Sequence, residues 1–176
     1  VLAEAARSTY VVNAGQDEPW GYTVEDYGSI ADGPMFRNSR IRHGDVPDGL
    51  SNTVFLGEHS PIVSDKTWGT VTVGAIVCGN NPQRFPLTDC DVAATLVNVH
   101  SGPAVGEIDP LTGFAPIHPP NSRLAHVCQM YAEHPGGANV AFGDGSIRFV
   151  SESIHQPTWA AVNSRNKGEV VADDSF

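Results

Sequence analysis

The chain has 176 residues, 17% of them charged, with 18 glycines, 13 prolines and a formal net charge of −10. That length suits one domain, residues 1–176, with a substantial core, and the glycine and proline content favours short strands and turns over long helices. The acidic balance excludes a nucleic-acid surface, which needs Lys and Arg clusters, and disfavours docking on anionic lipid.

Residues 1–7 (VLAEAAR) read as the tail of a helix, too short to hold alone. Residues 8–13 (STYVVN) carry the β-branched and aromatic content of a strand. Residues 14–34 form a polar, glycine-broken loop with Trp20, Tyr22 and Tyr27 as anchors. Aromatics beside Asp17, Glu18, Glu25 and Asp26 suit a sugar-binding face, but pinning the loop to the core is the commoner use. Arg37, Arg40 and Arg42 suit a basic patch, but answering the local acidic excess is the expected use. Residues 45–52 (DVPDGLSN) are turn chemistry punctuated by Pro47 and Gly49. Residues 53–56 follow as a buried strand, with Glu58 at its end. A carboxylate there is either a functional group or an acceptor for an arginine or backbone N–H groups, and the second role is the commoner.

Residues 68–77 (WGTVTVGAIV) are expected to form another strand. Residues 79–127 show little periodicity and contain seven prolines, which suggests a surface insertion holding one or two short strands, such as 93–99.

Residues 134–150 (HPGGANVAFGDGSIRFV) predict a β-hairpin. Pro135 extends His134, and Gly136-Gly137 permits a sharp redirection. Asp144-Gly145 suits a two-residue type I′ turn. In that register Phe142 faces Ile147 and Val140 faces Phe149, so Ala138, Val140, Phe142, Ile147 and Phe149 share one apolar face. A three-residue loop from Gly143 to Gly145 would instead set Arg148 opposite Val140; the two-residue register is the expectation. Gln156-Pro157-Thr158 then opens a short helix with Trp159 and Val162 inward, stopped by Asn166-Lys167-Gly168. Residues 170–171 are a candidate edge strand and residues 172–176 a fraying end. The fold class is α+β: an antiparallel sheet with long loops and a short C-terminal helix.

Chemistry-bearing motifs are sparse. H-E-x-x-H, the P-loop, the dinucleotide fingerprint and the EF-hand loop are absent, as is the G-x-S-x-G elbow. His59, His100, His118, His126 and His134 show no ligand spacing, so scattered surface histidines are expected, with no metal or cofactor site. Asp89, Asp91, Glu107 and Asp109 are expected to face solvent rather than bind calcium. Cys78, Cys90 and Cys128 form no C-x-x-C. An exported protein would pair two of them, in any of three ways, whereas a reducing compartment would leave three thiols. No stretch of 18 apolar residues is present, so no transmembrane helix is expected.

His134, nine residues, then Asp144-Gly145 resembles the signature of the prepilin-processing-associated H-x9-DG family, bacterial proteins of unknown biochemical function with a pilin-like N-terminus. Residues 48–53 (DGLSNT) leading to Gly57-Glu58, and residues 159–169 (WAAVNSRNKGE), are similar to further stretches of that family. The resemblance implies a pilin-like head, with a cleaved leader and hydrophobic helix ahead of it. It also implies an extracytoplasmic location and protein partners in a pilus-like or secretion assembly. Asn52, Glu58, His134, Asn139, Asp144 and Gly145 become the candidate functional positions, in a protein more suited to contact than to catalysis. The alternative is an extracellular glycan-binding module or polymer hydrolase, with Glu58, His134 and the loop aromatics lining a cleft. His134 and Asp144 are unsuited to share a metal, because ten residues of strand, at about 3.3 Å each, hold them apart. Glu58 is the candidate partner of His134.

Overall fold

In a computed structural model the described residues are 8–21, 25–64, 76–85, 90–92, 98–169 and 171. The expectations for residues 1–7, 68–75, 93–97, 170 and 172–176 lie outside them, as do Tyr22 and Asp89.

A central sheet is built from β1 (Tyr10–Asn13), β2 (Val54–Glu58), β5 (Asn98–Val99), β6 (Gly137–Phe142) and β7 (Ile147–Ser151), in the order β5-β1-β2-β6-β7. The pairs β1–β2, β2–β6 and β6–β7 are antiparallel, and β5 joins β1 in parallel. A separate two-stranded sheet pairs β3 (Ile76–Cys78) with β4 (Cys90–Val92), and a Cys78–Cys90 disulfide staples it. The single described α-helix, α1 (Gln156–Asn163), has proline in its first turn and ends at Ser164. The architecture is α+β, an antiparallel sheet with one short C-terminal helix and long loops.

The core lies between the sheet and α1. Val11, Val54, Val140, Phe142 and Val150 meet Met130, Trp159 and Val162 there. The Trp159 indole N–H is satisfied by the His118 carbonyl at 2.6 Å, so the helix is tied to the 98–136 excursion as well as to the sheet. Part of the 79–127 stretch is itself interior: Phe85, Val99, Ala125 and Val127 are buried.

The hairpin register differs from the expectation. Val140 pairs with Arg148 and Ala141 with Ile147. The Phe142 N–H donates to Ser146 O at 2.9 Å and the Gly145 N–H to Phe142 O at 3.0 Å, which makes Gly143-Asp144-Gly145 a three-residue loop. Gly145, at φ +86°, is the left-handed residue that such a loop requires. The slip of one position turns β7 over. Val150 is buried, whereas Ile147 and Phe149 are 72% and 49% exposed. Arg148 comes to lie over the Phe142 ring, 4.6 Å from its centroid. The entry needs its glycines: a Cβ on Gly137 would stand 1.9 Å from the Val150 carbonyl oxygen.

Candidate functional site

The motif positions gather at the two ends of β6. At its start, Glu58, at the end of β2, meets the loop that carries His134. His134 Nε2 lies 3.0 Å from Glu58 Oε2, which also accepts the Asn139 N–H at 2.7 Å. The Asn139 side-chain amide reaches the same carboxylate at 3.4 and 3.5 Å. One carboxylate therefore clamps the histidine loop to the sheet. His134 stays partly open, its side chain 42% exposed against 21% for Glu58. Its ring packs on Phe149 at 5.8 Å between centroids.

At the far end of β6, Asp144 Oδ1 accepts the Ser146 N–H at 2.9 Å. The Ser146 hydroxyl and N–H beside it hold the Asp144 carboxyl below its usual range. The tip docks on the 48–53 turn: the Gly143 N–H donates to Thr53 O at 3.0 Å and the Asp144 N–H to Leu50 O at 3.2 Å. Asn52 stays within that turn, its amide donating to Asp48 O at 3.1 Å. Asn52, Asp144 and Gly145 thus belong to one turn-on-turn contact, remote along β6 from Glu58, His134 and Asn139.

The 159–169 stretch is stitched to the same region. The Asp48 carboxylate accepts the Lys167 and Gly168 N–H groups, both at 3.0 Å, and the Ser164 hydroxyl at 3.2 Å. Arg165 Nη1 donates to the carbonyls of Ala31 and Gly33, and Lys167 Nζ pairs with Asp32 Oδ2 at 2.6 Å. Burial opposes the Lys167 charge, but its bond to Asp32 outweighs this and holds the ammonium pKa above the usual lysine range.

The histidines overturn the surface expectation. His59, His100, His118 and His126 are each 2% exposed or less. His59 is bonded within the interior, to Gln129 O at 2.7 Å and Ser64 Oγ at 3.0 Å. The other three converge: His118 and His126 stand 5.1 Å apart by ring centroid, and His100 and His126 5.4 Å. Glu107 reaches into this group, with Oε2 2.9 Å from His118 Nε2 and 3.7 Å from His126 Nε2. Burial penalises the Glu107 carboxylate, but the hydrogen bond and charge of His118, with help from His126 and the Ala104 N–H, hold its pKa below the usual range. Ligand atoms of Glu107, His118 and His126 lie within 4.8 Å of one another, as do those of His100, His126 and Cys128. Spacing could not reveal this cluster. Its members come from separate turns that only the fold brings together.

Trp20 and Tyr27 do not join Glu58 and His134. Trp20 meets His100 edge-on at 5.7 Å, and Tyr27 lies beneath Arg37. The recess beside Glu58 and His134 is lined instead by Ser60, Tyr131 and Glu133 among others, and the Ser60 hydroxyl donates to Glu133 rather than to His134.

A family model described as a protein of unknown function (DUF1559) matches residues 3–157. The chain belongs to that family. No curated protein and no solved structure matches it. In this DUF1559 chain the matched span takes in Glu58, His134 and Asp144, together with every member of the buried histidine cluster.

Proposed function

We propose that this DUF1559 chain is the extracytoplasmic head of a pilin-like assembly protein that works through contact with neighbouring subunits rather than by catalysis. The supporting observation is the outer face of β7. An edge strand that shows Ile147 and Phe149 to solvent is a surface suited to a partner. The Glu58–His134 clamp sits behind that surface and steadies Phe149. The Cys78–Cys90 bridge, with both residues exposed, suits an oxidising compartment. The H-x9-DG resemblance points the same way. The glycan-cleft alternative draws less support, because neither Trp20 nor Tyr27 lines the recess beside Glu58 and His134.

The partner best suited to the β7 face is another subunit of the same assembly. The test is an Ile147→Ser/Phe149→Ser double variant of the full-length protein in its native cell. It should melt as the parent does, yet fall out of crosslinked surface assemblies. Unchanged incorporation would overturn the reading.

A further inference from the structure

We infer that Glu107, His118 and His126 form a binding site for one divalent transition ion of the zinc class. Two imidazoles and a carboxylate are a familiar donor set for zinc. A tetrahedral ion with bonds of about 2.1 Å separates its ligand atoms by about 3.4 Å. The Glu107 Oε2 distances to His118 Nε2 and His126 Nε2, 2.9 and 3.7 Å, bracket that value. The third separation, between the two imidazoles, is within 4.8 Å, so loading the site draws together ligand atoms that are already neighbours.

The surroundings fit the role. The His118 backbone is fixed on both sides, its N–H donating to Ser101 O at 2.7 Å and its carbonyl accepting from Trp159. The Gln129 amide approaches His126 Nε2 at 3.0 Å, an arrangement in which that nitrogen presents its lone pair. The ion takes the place of this amide at His126 and of the hydrogen bond between His118 and Glu107, and it competes with protons for both imidazoles. Glu107 supplies the negative charge that a cation in a buried site requires.

His126 also belongs to the His100–Cys128 group. We assign the ion to the Glu107 side. The Glu107 carboxylate already lies 2.9 and 3.7 Å from the two imidazole nitrogens, and it binds without first giving up a proton, as a thiol must. The histidine-bearing residues lie on the 98–136 excursion, so the ion would staple that excursion to itself beneath α1.

The experiment uses the whole chain, stripped with a chelator and titrated with Zn2+ against a chromophoric competitor. One equivalent per chain should bind, with a rise in melting temperature and with affinity that falls as pH drops below neutral. His126→Ala should lose the equivalent. Glu107→Gln should also lose it while keeping an acceptor for His118, so a folded apoprotein remains for comparison. Substitution with Co2+ should give tetrahedral visible bands without a thiolate charge-transfer band. No uptake, or uptake unchanged in Glu107→Gln, would overturn the inference. A thiolate band that disappears in Cys128→Ser would equally overturn it, by moving the ion to the other triad.

Discussion

Glu58 does with one carboxylate what a loop of this length cannot do for itself. Its Oε2 accepts from a β6 backbone N–H and from an imidazole on the segment before it. Removing the acceptor strands the Asn139 N–H, so Glu58→Ala should cost about 1–3 kcal/mol in urea melts. His134→Ala should cost less, about 1 kcal/mol, because the imidazole is well exposed and solvent screens the pair. The double variant should fall short of the sum, since contacting residues couple; strictly additive losses would refute the clamp. Asp144 acts alone on its turn. Its folded pKa is depressed, so its contribution is present above the unfolded value and disappears as pH falls through the folded one. Asp144→Asn keeps the turn acceptor and removes the charge. Its stability should depend less on pH than the parent's between about pH 5 and pH 2, the range in which carboxylates titrate.

The hairpin shows where an element's pattern misleads. Two loop lengths fit the same glycine-rich tip, and the apolar alternation favoured the shorter because it placed Ile147 and Phe149 on the face of Val140. The deciding contacts are non-local: the tip's N–H groups reach Leu50 and Thr53, and nothing within residues 134–150 reports them. The two registers make opposite forecasts for one residue type. Phe142→Asp should cost several kcal/mol, about 3–5, since it puts a charge in the core. Ile147→Asp should be near neutral, within about 0.5 kcal/mol, as for exposed sites generally. Comparable losses at both positions would restore the two-residue turn. Elements with strong local codes were legible: α1 begins at the predicted Gln156-Pro157, and β1 and β2 fall within two residues of expectation.

At the scale of the molecule, the sheet and helix could be read from sequence, whereas the buried histidine cluster could not. Helix and strand periods are local, but Glu107, His118 and His126 lie on turns without period, and only the packed excursion aligns them. The cysteines stood between these cases. Their number suggested one bridge and their spacing left it open; the β3–β4 pairing that sets Cys78 opposite Cys90 decides it. Denatured, unreduced protein from an oxidising compartment should therefore titrate one thiol, belonging to Cys128. Reduction should lower stability by about 3 kcal/mol, the chain-entropy value for a loop of this size. Three thiols before reduction would remove the main support for an extracytoplasmic setting.

The parallel strand β5 has a dynamic consequence. It is two residues long, sits at the sheet edge, and passes directly into His100. The Ala14 N–H donates to Val99 O at 2.8 Å, and the His100 N–H to Cys128 O at 3.2 Å. So short an edge is the kind of place where a native fold breathes without unfolding. Each opening of β5 would loosen the wall of the histidine cluster while the four antiparallel strands stay closed. The Ala14 amide is then a sentinel for that seam. Its hydrogen exchange should be faster than that of the Val140 amide inside β6, and slower in any state that ties the excursion down.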